Sequence, residues 1–582
     1  MNPFRISLVF IIVFTSSVEG QIVTLQQAAP KREVRAVWIT TVSGLDWPQS
    51  YAMSEQKRSL REMILKLNAA HCNTIFFQVR GRGDAMYRSK YEPWSEQLTG
   101  TLGEDPGWDP LEFILNEAHS VGMEVHAWFN TYLIKTGPSR IIESEPRHLL
   151  VQHPDWARKV NDEWWLDPGI PAVREYLIKV ALDLVRQYDI DGIQFDFIRY
   201  PRKNFPDDVT YRRYGQGLKK ENWRRENINK FVRAFYDSAI SIKPMLKIGS
   251  TPIGIYTNMT SAYVQEGYSE LYQDSRRWLR EGKHDYLAPQ VYWSLGTSRT
   301  NPDFKVVVED WSRHSQGRHV YIGLGAYKPE VHDQLPELID VSRSAGVQGN
   351  AFFRYSNVAD VLNMDQRYKY RAMIPPMPWK DSIPPNLPTK LIVENISDGM
   401  FKLSWITPSI AKDGDGAKYF NIYRSLTRPV NIDDPANLIS IVLGTTTTFV
   451  DTIEYLSAIK FFYAVSAMDK GYNESAPTEQ EVIIPELAEL SKHFSPEFKL
   501  GKSYPNPASE YVFIPYEVKQ RSHVIVSVLD KNDREVVTVV NSEQEPGTYI
   551  ASARINQLRD GWYSCLMMAG EFTERKMLRV DN

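Results

Sequence analysis

Eight apolar, strand-like runs separated by amphipathic helical patterns predict an α/β fold: a (β/α)₈ TIM barrel followed by two all-β sandwich domains. Three observations carry this reading. The strand–helix alternation repeats through residues 32–370. A proline-rich stretch, "IPPMPWKDSIPPNLPTK", then ends it. Beyond that stretch the chain changes to short alternating runs with turn residues between them.

The strand candidates are "VRAVWITT" (34–41), "TIFFQVR" (74–80), "EVHAWFN" (124–130), "DIDGIQFDF" (189–197), "KIGSTP" (247–252), "DYLAPQVYW" (285–293), "VYIGLGAY" (320–327) and "GNAFFRYS" (349–356). Helices lie between them. Leu60, Met63, Ile64 and Leu67 recur at helical spacing, as do Val173, Leu177, Val180 and Leu184 behind Pro171 at a first turn. A count of eight, and no Gly-rich phosphate loop after the first strand, disfavour an open doubly wound sheet.

Residues 371–388 read as an extended proline-rich spacer. Residues 389–486 read as a sandwich, through "FKLSWITP", "YFNIYRS", "TTTFVD" and "KFFYAVSAMD". Its pieces resemble a fibronectin type III domain, with Trp405 as the early core Trp and Tyr463 in a later core strand. Residues 500–582 form a second short all-β pattern.

At the N-terminus, Arg5 precedes an apolar run and small residues at Val18 and Gly20. This predicts a signal peptide over 1–20, with Gln21 starting the mature chain. No later segment has the length of a membrane span, so no integral membrane span is expected. The formal net charge of -3 gives no sign of a nucleic-acid or polyanion binder, so no nucleic-acid partner is expected. The 2 cysteines, Cys72 and Cys565, fall in different predicted domains, so no disulfide is expected. His126 has no partner at metal-ligand spacing, so neither a metal nor a cofactor is expected.

In such a barrel, functional side chains stand at the C-terminal ends of the strands. That rule selects Thr40 and Thr41, then Gln78, Arg80 and Asp84, then His126, Trp128 and Asn130. It goes on to Gln194, Asp196, Arg199 and Tyr200, then Gln290, Tyr292 and Trp293, and last Arg354 and Tyr355. Asp167, in "WWLDPGIP", is placed on the same rim. Amides, arginines and flat aromatic rings around a carboxylate suit a sugar ring and its hydroxyls. Glycoside hydrolysis ordinarily takes two carboxylates. Asp196 is the central one, expected to be ionised beside Arg199 or Arg80, with Phe195 and Phe197 packing on the opposite side of the strand. Asp84 or Glu266 is the expected proton donor, and spacing does not choose between them. A substrate-assisted route would need one acid only.

"REVRAVWITTVSGLDWP", "FFQVRGRGDAMY", "HAWFN", "DGIQFDFIRYP" and "APQVYW" resemble, in order, the glycosyl-hydrolase-like 10 family over residues 32–370. The resemblance implies an exported (β/α)₈ glycosidase acting on a polysaccharide, with peptidoglycan glycan strands as one known target of the family. It implies Asp196 as the catalytic carboxylate and Gln78, Arg80, Asp84, Asn130 and Gln290 as cleft residues. A shorter likeness is to the DGxDxDxE strand of chitinase-type barrels. Asp191 and Asp196 match it, while Gln194 and Ile198 depart from it. "YPNPASEYVFIPYEV", "PGTY", "GWYSCLMMAG" and "KMLRV" resemble a type A sorting domain of type IX secretion. This implies a secretion-machinery partner and release or surface attachment through the periplasm of a Gram-negative bacterium. The competing reading is a catalytically idle glycan-binding or adhesion protein.

Overall fold

The computed structural model describes residues 29–137, 143–259, 262–359, 366–397, 400–453, 460–483, 498–509 and 511–581. The signal-peptide expectation lies outside them. Eight parallel strands close into a barrel. They are β1 (Val34–Ile39), β2 (Thr74–Arg80), β3 (Glu124–Asn130), β4 (Gly192–Asp196), β5 (Lys247–Ser250), β6 (Tyr286–Leu287), β7 (His319–Leu324) and β8 (Gly349–Phe352). Each pairs with its sequence neighbours, and β1 closes the ring on β8 with Val34 opposite Gly349. Strand six is shorter than expected because Pro289 has no N–H to give a ladder; the Pro289 carbonyl still accepts from Gly323 N–H at 2.9 Å.

Alternation along each strand divides the barrel into two cores. Val37, Ile39, Phe77, Phe129 and Phe195 face outward and pack with the helices. Among these are α1 (Met53–Ala69), α2 (Pro110–Ser120), α3 (Pro171–Gln187) and α4 (Lys220–Ile242). The two expected apolar stripes are buried on α1 and α3. Ala36, Trp38, Phe76, Trp128, Tyr286 and Tyr321 face inward and fill the lumen. Gly192 is needed at the lumen wall, since a Cβ there would lie 2.5 Å from the His126 ring.

Between β3 and β4 the chain adds a three-stranded antiparallel sheet of Leu133–Thr136, Ala157–Val160 and Glu163–Leu166. This sheet was not expected from the sequence. Its hairpin turns at Asn161, which takes a left-handed φ of 55°. The Asn-Asp pair between two short apolar runs was the available signal.

The proline-rich segment is not a free spacer. Met373, Ile374 and Met377 are buried and continue the lumen core out of the barrel's N-terminal end. They meet Tyr419, Tyr423, Met468 and Tyr472 of the domain beyond. The Trp379 indole donates to Asp285 Oδ1 at 2.9 Å, and Lys380 pairs with Asp285 Oδ2 at 3.0 Å. Lys418 pairs with Asp191 at 2.9 Å. The expectation of a spacer fails because its apolar residues are more favourably buried under the barrel than exposed.

That next domain is a two-sheet sandwich. Three strands (Thr389–Ser397, Met400–Ile406, Thr448–Thr452) face four (Leu438–Leu443, Tyr419–Ser425, Lys460–Met468, Thr478–Ile483). Trp405 and Tyr463 sit in its core. The last domain repeats the two-sheet plan with three and four antiparallel strands within residues 499–580, and its Ile550 inserts into the sandwich core.

A fragment ending at Tyr370 should therefore melt well below one ending at Ile483, or aggregate. Each of the three plugging side chains contributes about 1.5–3 kcal/mol of burial. Differential scanning calorimetry of the two fragments checks this, and equal melting temperatures would contradict it.

Candidate active site

β4 places its residues by simple alternation until its end. Phe195 points outward and packs on Phe231 and Phe235 of α4, with ring centroids 5.2 and 4.9 Å away. Gln194 points inward and accepts from the Trp38 indole at 2.7 Å. Asp196 also points inward, at the open end of the lumen. The next residue breaks the pattern: Phe197 adopts a φ of 49°, a conformation that costs a bulky residue of order 1–3 kcal/mol. This turn aims the Phe197 N–H at Asp196 Oδ1, 2.6 Å away. It also brings the Phe197 ring to the mouth, on the same side as the carboxyl rather than the opposite one, as the alternation had implied.

Around Asp196 is a cavity of about 250 Å³ at the C-terminal ends of the strands. Trp38, Thr40, Gln78, Trp128, Asn130, Gln290, Tyr292 and Phe353 line it, together with Arg82, Phe197, Arg199 and Thr251. Asp196 is the one carboxylate among its lining residues. Burial pushes the Asp196 carboxyl up to about 6. The Phe197 N–H, Arg199, the Trp128 indole and Arg82 oppose that shift and do not cancel it. The Trp128 indole N–H is near enough to act electrostatically but makes no hydrogen bond of ordinary geometry. At Asp196 burial therefore outweighs the nearby cations, where the sequence reading expected a cation to dominate. Burial also raises the Tyr292 phenol, with Asp196 adding to the shift.

Three buried polar atoms of the lining have no protein partner: Thr40 Oγ1, Trp128 Nε1 and Asn130 Oδ1. Buried polar groups are normally satisfied, so three together suit a polar ligand. A larger hollow of about 540 Å³ lies on the outer wall between α2 and the end of α3, lined by Asp109, Glu112 and His119. No strand end of the barrel lines it.

The structure brings Gln78, Trp128, Asn130, Asp196, Arg199, Gln290 and Tyr292 to one cavity. It places the other candidates elsewhere. A β-bulge between Gln78 and Arg80 turns Arg80 outward, where it is fully buried over the Phe129 ring and clamped by Glu92 at 2.7 and 2.6 Å. His126 lies deeper in the lumen, between the Tyr286 hydroxyl at 2.7 Å and Glu124 at 3.2 Å. Gln194 lies one layer below the cavity with its oxygen committed to Trp38. Asp167 is a buried tie, accepting from Thr210 Oγ1 at 2.5 Å and pairing with Arg158 at 3.1 Å. Tyr200 packs among Phe205, Tyr272 and Arg224, away from the mouth. Trp293 packs in the outer core beside Gly254.

Neither expected proton donor lines the cavity. Asp84 Oδ1 accepts from the Arg82 backbone N–H at 2.7 Å, closing its own turn. Glu266 accepts from Asn258 N–H at 2.6 Å and from the Ser269 hydroxyl, closing another. Among the lining residues that sequence reasoning missed are Arg82, Phe197, Thr251 and Phe353. Arg82 stands two positions from Asp84 in "VRGRGDAMY", and the eye goes to the carboxylate.

The Glycosyl hydrolase-like 10 family model matches residues 33–340, just over half the chain. The chain belongs to that family. It is a glycosidase. Glycosyl hydrolase YngK of Bacillus subtilis is 34% identical over 434 residues, covering 69% of this chain and 84% of YngK. Glycosyl hydrolase DigH of Escherichia coli K12 is 36% identical over 335 residues, covering 52% of this chain and 75% of DigH. An endo-β-1,4-mannanase structure from Thermotoga petrophila aligns over 95% of this chain and 98% of its own at 10% identity, with a TM-score of 0.36. In this glycosidase the barrel assignment rests on the closed eight-strand ring itself.

Removing the Arg80 charge should damage the fold rather than sugar binding. Arg80→Gln leaves Glu92 buried and unpaired, at a cost of about 3–5 kcal/mol. Urea unfolding checks it. A variant of native stability with weakened glycan binding would return Arg80 to the cleft.

Proposed function

We propose that this glycosidase cleaves an amino-sugar polysaccharide, such as the glycan strands of peptidoglycan, with Asp196 as the proton donor and the sugar's own 2-acetamido group as the nucleophile. The observation that carries this is the single carboxyl among the cavity's lining residues, raised to about 6 by burial. A donor needs that raised value, and a two-carboxylate mechanism needs a second acid that the lining does not supply. In the first step Asp196 gives its proton to the glycosidic oxygen. The C1–O bond breaks, and the acetamido oxygen closes on C1. Water then opens the ring so formed and returns a proton to Asp196, with net retention at C1. The unpartnered Asn130 Oδ1 suits the acetamido N–H, and the Tyr292 hydroxyl is the near group suited to the acetamido oxygen. The Trp128, Tyr292 and Phe353 rings offer apolar faces to the sugar. The donor stands two positions earlier than the glutamate of chitinase-type strands, whose place the buried Ile198 takes.

Export is part of the same reading. The N-terminal segment carries the chain out of the cytoplasm, and residues 500–582 act as the address for onward secretion through the outer membrane. The polysaccharide is then met outside the cell or at its surface.

Asp196→Asn should lower kcat by roughly 10²–10⁴-fold, and wild-type kcat/KM should fall about tenfold per pH unit above 6, since the protonated carboxyl is the active form. Activity rising through pH 6 would assign Asp196 an ionised role instead, and inversion at C1 by NMR would exclude the acetamido route. Deleting residues from Leu500 onward should leave activity intact and hold the protein in the periplasm, as fractionation would show; normal secretion would contradict the address.

A further inference from the structure

Arg82 and Arg199 stand half-buried at the cavity's edge. The fully buried arginines of this barrel are neutralised directly: Arg80 by Glu92 at 2.6 Å, Arg224 by Asp207 at 2.6 Å and Arg35 by Glu33 at 2.9 Å. Arg82 and Arg199 form no ion pair among the described residues. Arg82 gives Nε to Thr136 Oγ1 at 3.2 Å and Nη1 to the Gly81 carbonyl at 2.9 Å. Arg199 gives only a long contact from Nη1 to the Tyr200 carbonyl, at 3.4 Å. Most of the donors on both forks are left unclaimed.

The pair is nevertheless held in place. Both guanidinium groups pack against the Phe197 ring, the Arg82 guanidinium carbon 6.0 Å and that of Arg199 5.4 Å from its centroid. Trp165 backs Arg199 at 5.2 Å. The Arg82 backbone is fixed on both sides: Asp84 accepts its N–H, and the His148 ring N–H donates to its carbonyl at 2.8 Å. Three carboxylates are near, and each has an oxygen engaged elsewhere. Asp84 takes the Arg82 amide, Glu163 takes the Trp165 indole at 2.8 Å, and Asp196 takes the Phe197 amide. Burial lowers the pKa of both arginines more than these acids raise it. Two rigid, incompletely neutralised guanidinium groups beside a catalytic carboxyl form a ready receptor for an external carboxylate.

We infer that Arg82 and Arg199 together bind a free carboxylate on the glycan and so select an acidic sugar chain over a neutral one. The inference rests on the glycosidase reading of this cavity. It adds that the polymer bears its negative charge within a sugar's width of the bond that Asp196 protonates. Two sources offer that chemistry: a lactyl ether on an amino sugar, or the C6 carboxylate of a uronic acid.

The test changes the substrate first, so that folding of a variant is not at issue. Lactyl-bearing amino-sugar oligosaccharides and hexuronate-bearing oligosaccharides are each assayed with the carboxylate free and after its reduction to the alcohol. In at least one series, reduction should lower wild-type kcat/KM by roughly 10- to 100-fold, mainly through KM. The series that responds names the source. R82Q/R199Q, with a native melting curve, should treat the two forms alike, and R199K should recover part of the preference. Calorimetric binding of the same four oligosaccharides to Asp196→Asn reads the preference without turnover. Equal handling of free and reduced forms in both series, or an undiminished preference in R82Q/R199Q, would overturn the inference. A preference for the free acid that persists when C1 is found inverted would retain the inference and discard the acetamido mechanism.

Discussion

A carboxyl group held out of water at the end of β4 is the constraint on which this active site depends. Asp196 is buried, yet no ion pair neutralises it directly. Its one firm contact is the amide of the next residue, and that contact exists only because Phe197 takes a left-handed turn. The site thus holds two unfavourable elements, a strained aromatic residue and a desolvated acid. Above pH 6 the net cost of the ionised carboxylate in this setting is roughly 3 kcal/mol, because the folded state holds the proton to higher pH than the unfolded chain does. Stability linked to this group is therefore greatest at acid pH and declines between about 4 and 6. A fold keeps such a strained arrangement where it does chemical work.

The rest of the barrel supplies the rigidity that holds this arrangement. Trp38, Phe76, Trp128, Tyr286 and Tyr321 fill the lumen, so the strands cannot shift to let water reach Asp196 from below. The lumen core does not end at the barrel. It runs through Met373, Ile374 and Met377 into the sandwich, where Lys418 holds Asp191 at the opposite end of the strand that carries Asp196. Both ends of β4 thus bear an aspartate, and their settings push them apart. Lys418 and His119 hold Asp191 far below the usual carboxylate range against its burial, whereas burial prevails at Asp196.

The barrel was legible in the sequence because its signal is periodic. Strands of five to seven residues and helices such as α1 and α3 announce themselves by which positions are apolar. Asp196 was legible for the converse reason: a carboxylate in an apolar strand has to be explained. Strand position also found Gln78, Trp128, Asn130, Gln290 and Tyr292, whereas the neighbours it misplaced depend on departures from period. A bulge after Gln78 sent Arg80 to the outer layer, and a left-handed turn at Phe197 brought its aromatic ring to the mouth. His126, two positions before Trp128, faces the same lumen but a layer too deep, which alternation alone does not reveal. Asp84 and Glu266 look like acids for catalysis in the sequence and are turn closures in the structure.

The proton affinity of Asp196 is the quantity to measure. With ¹³C-labelled aspartate, the side-chain carboxyl resonance that disappears in Asp196→Asn can be followed by NMR from pH 3 to 8. A midpoint near 6 is expected. A midpoint at or below the ordinary aspartate value would show that the arginines, not burial, govern the group, and the proton-donor role would fall with it.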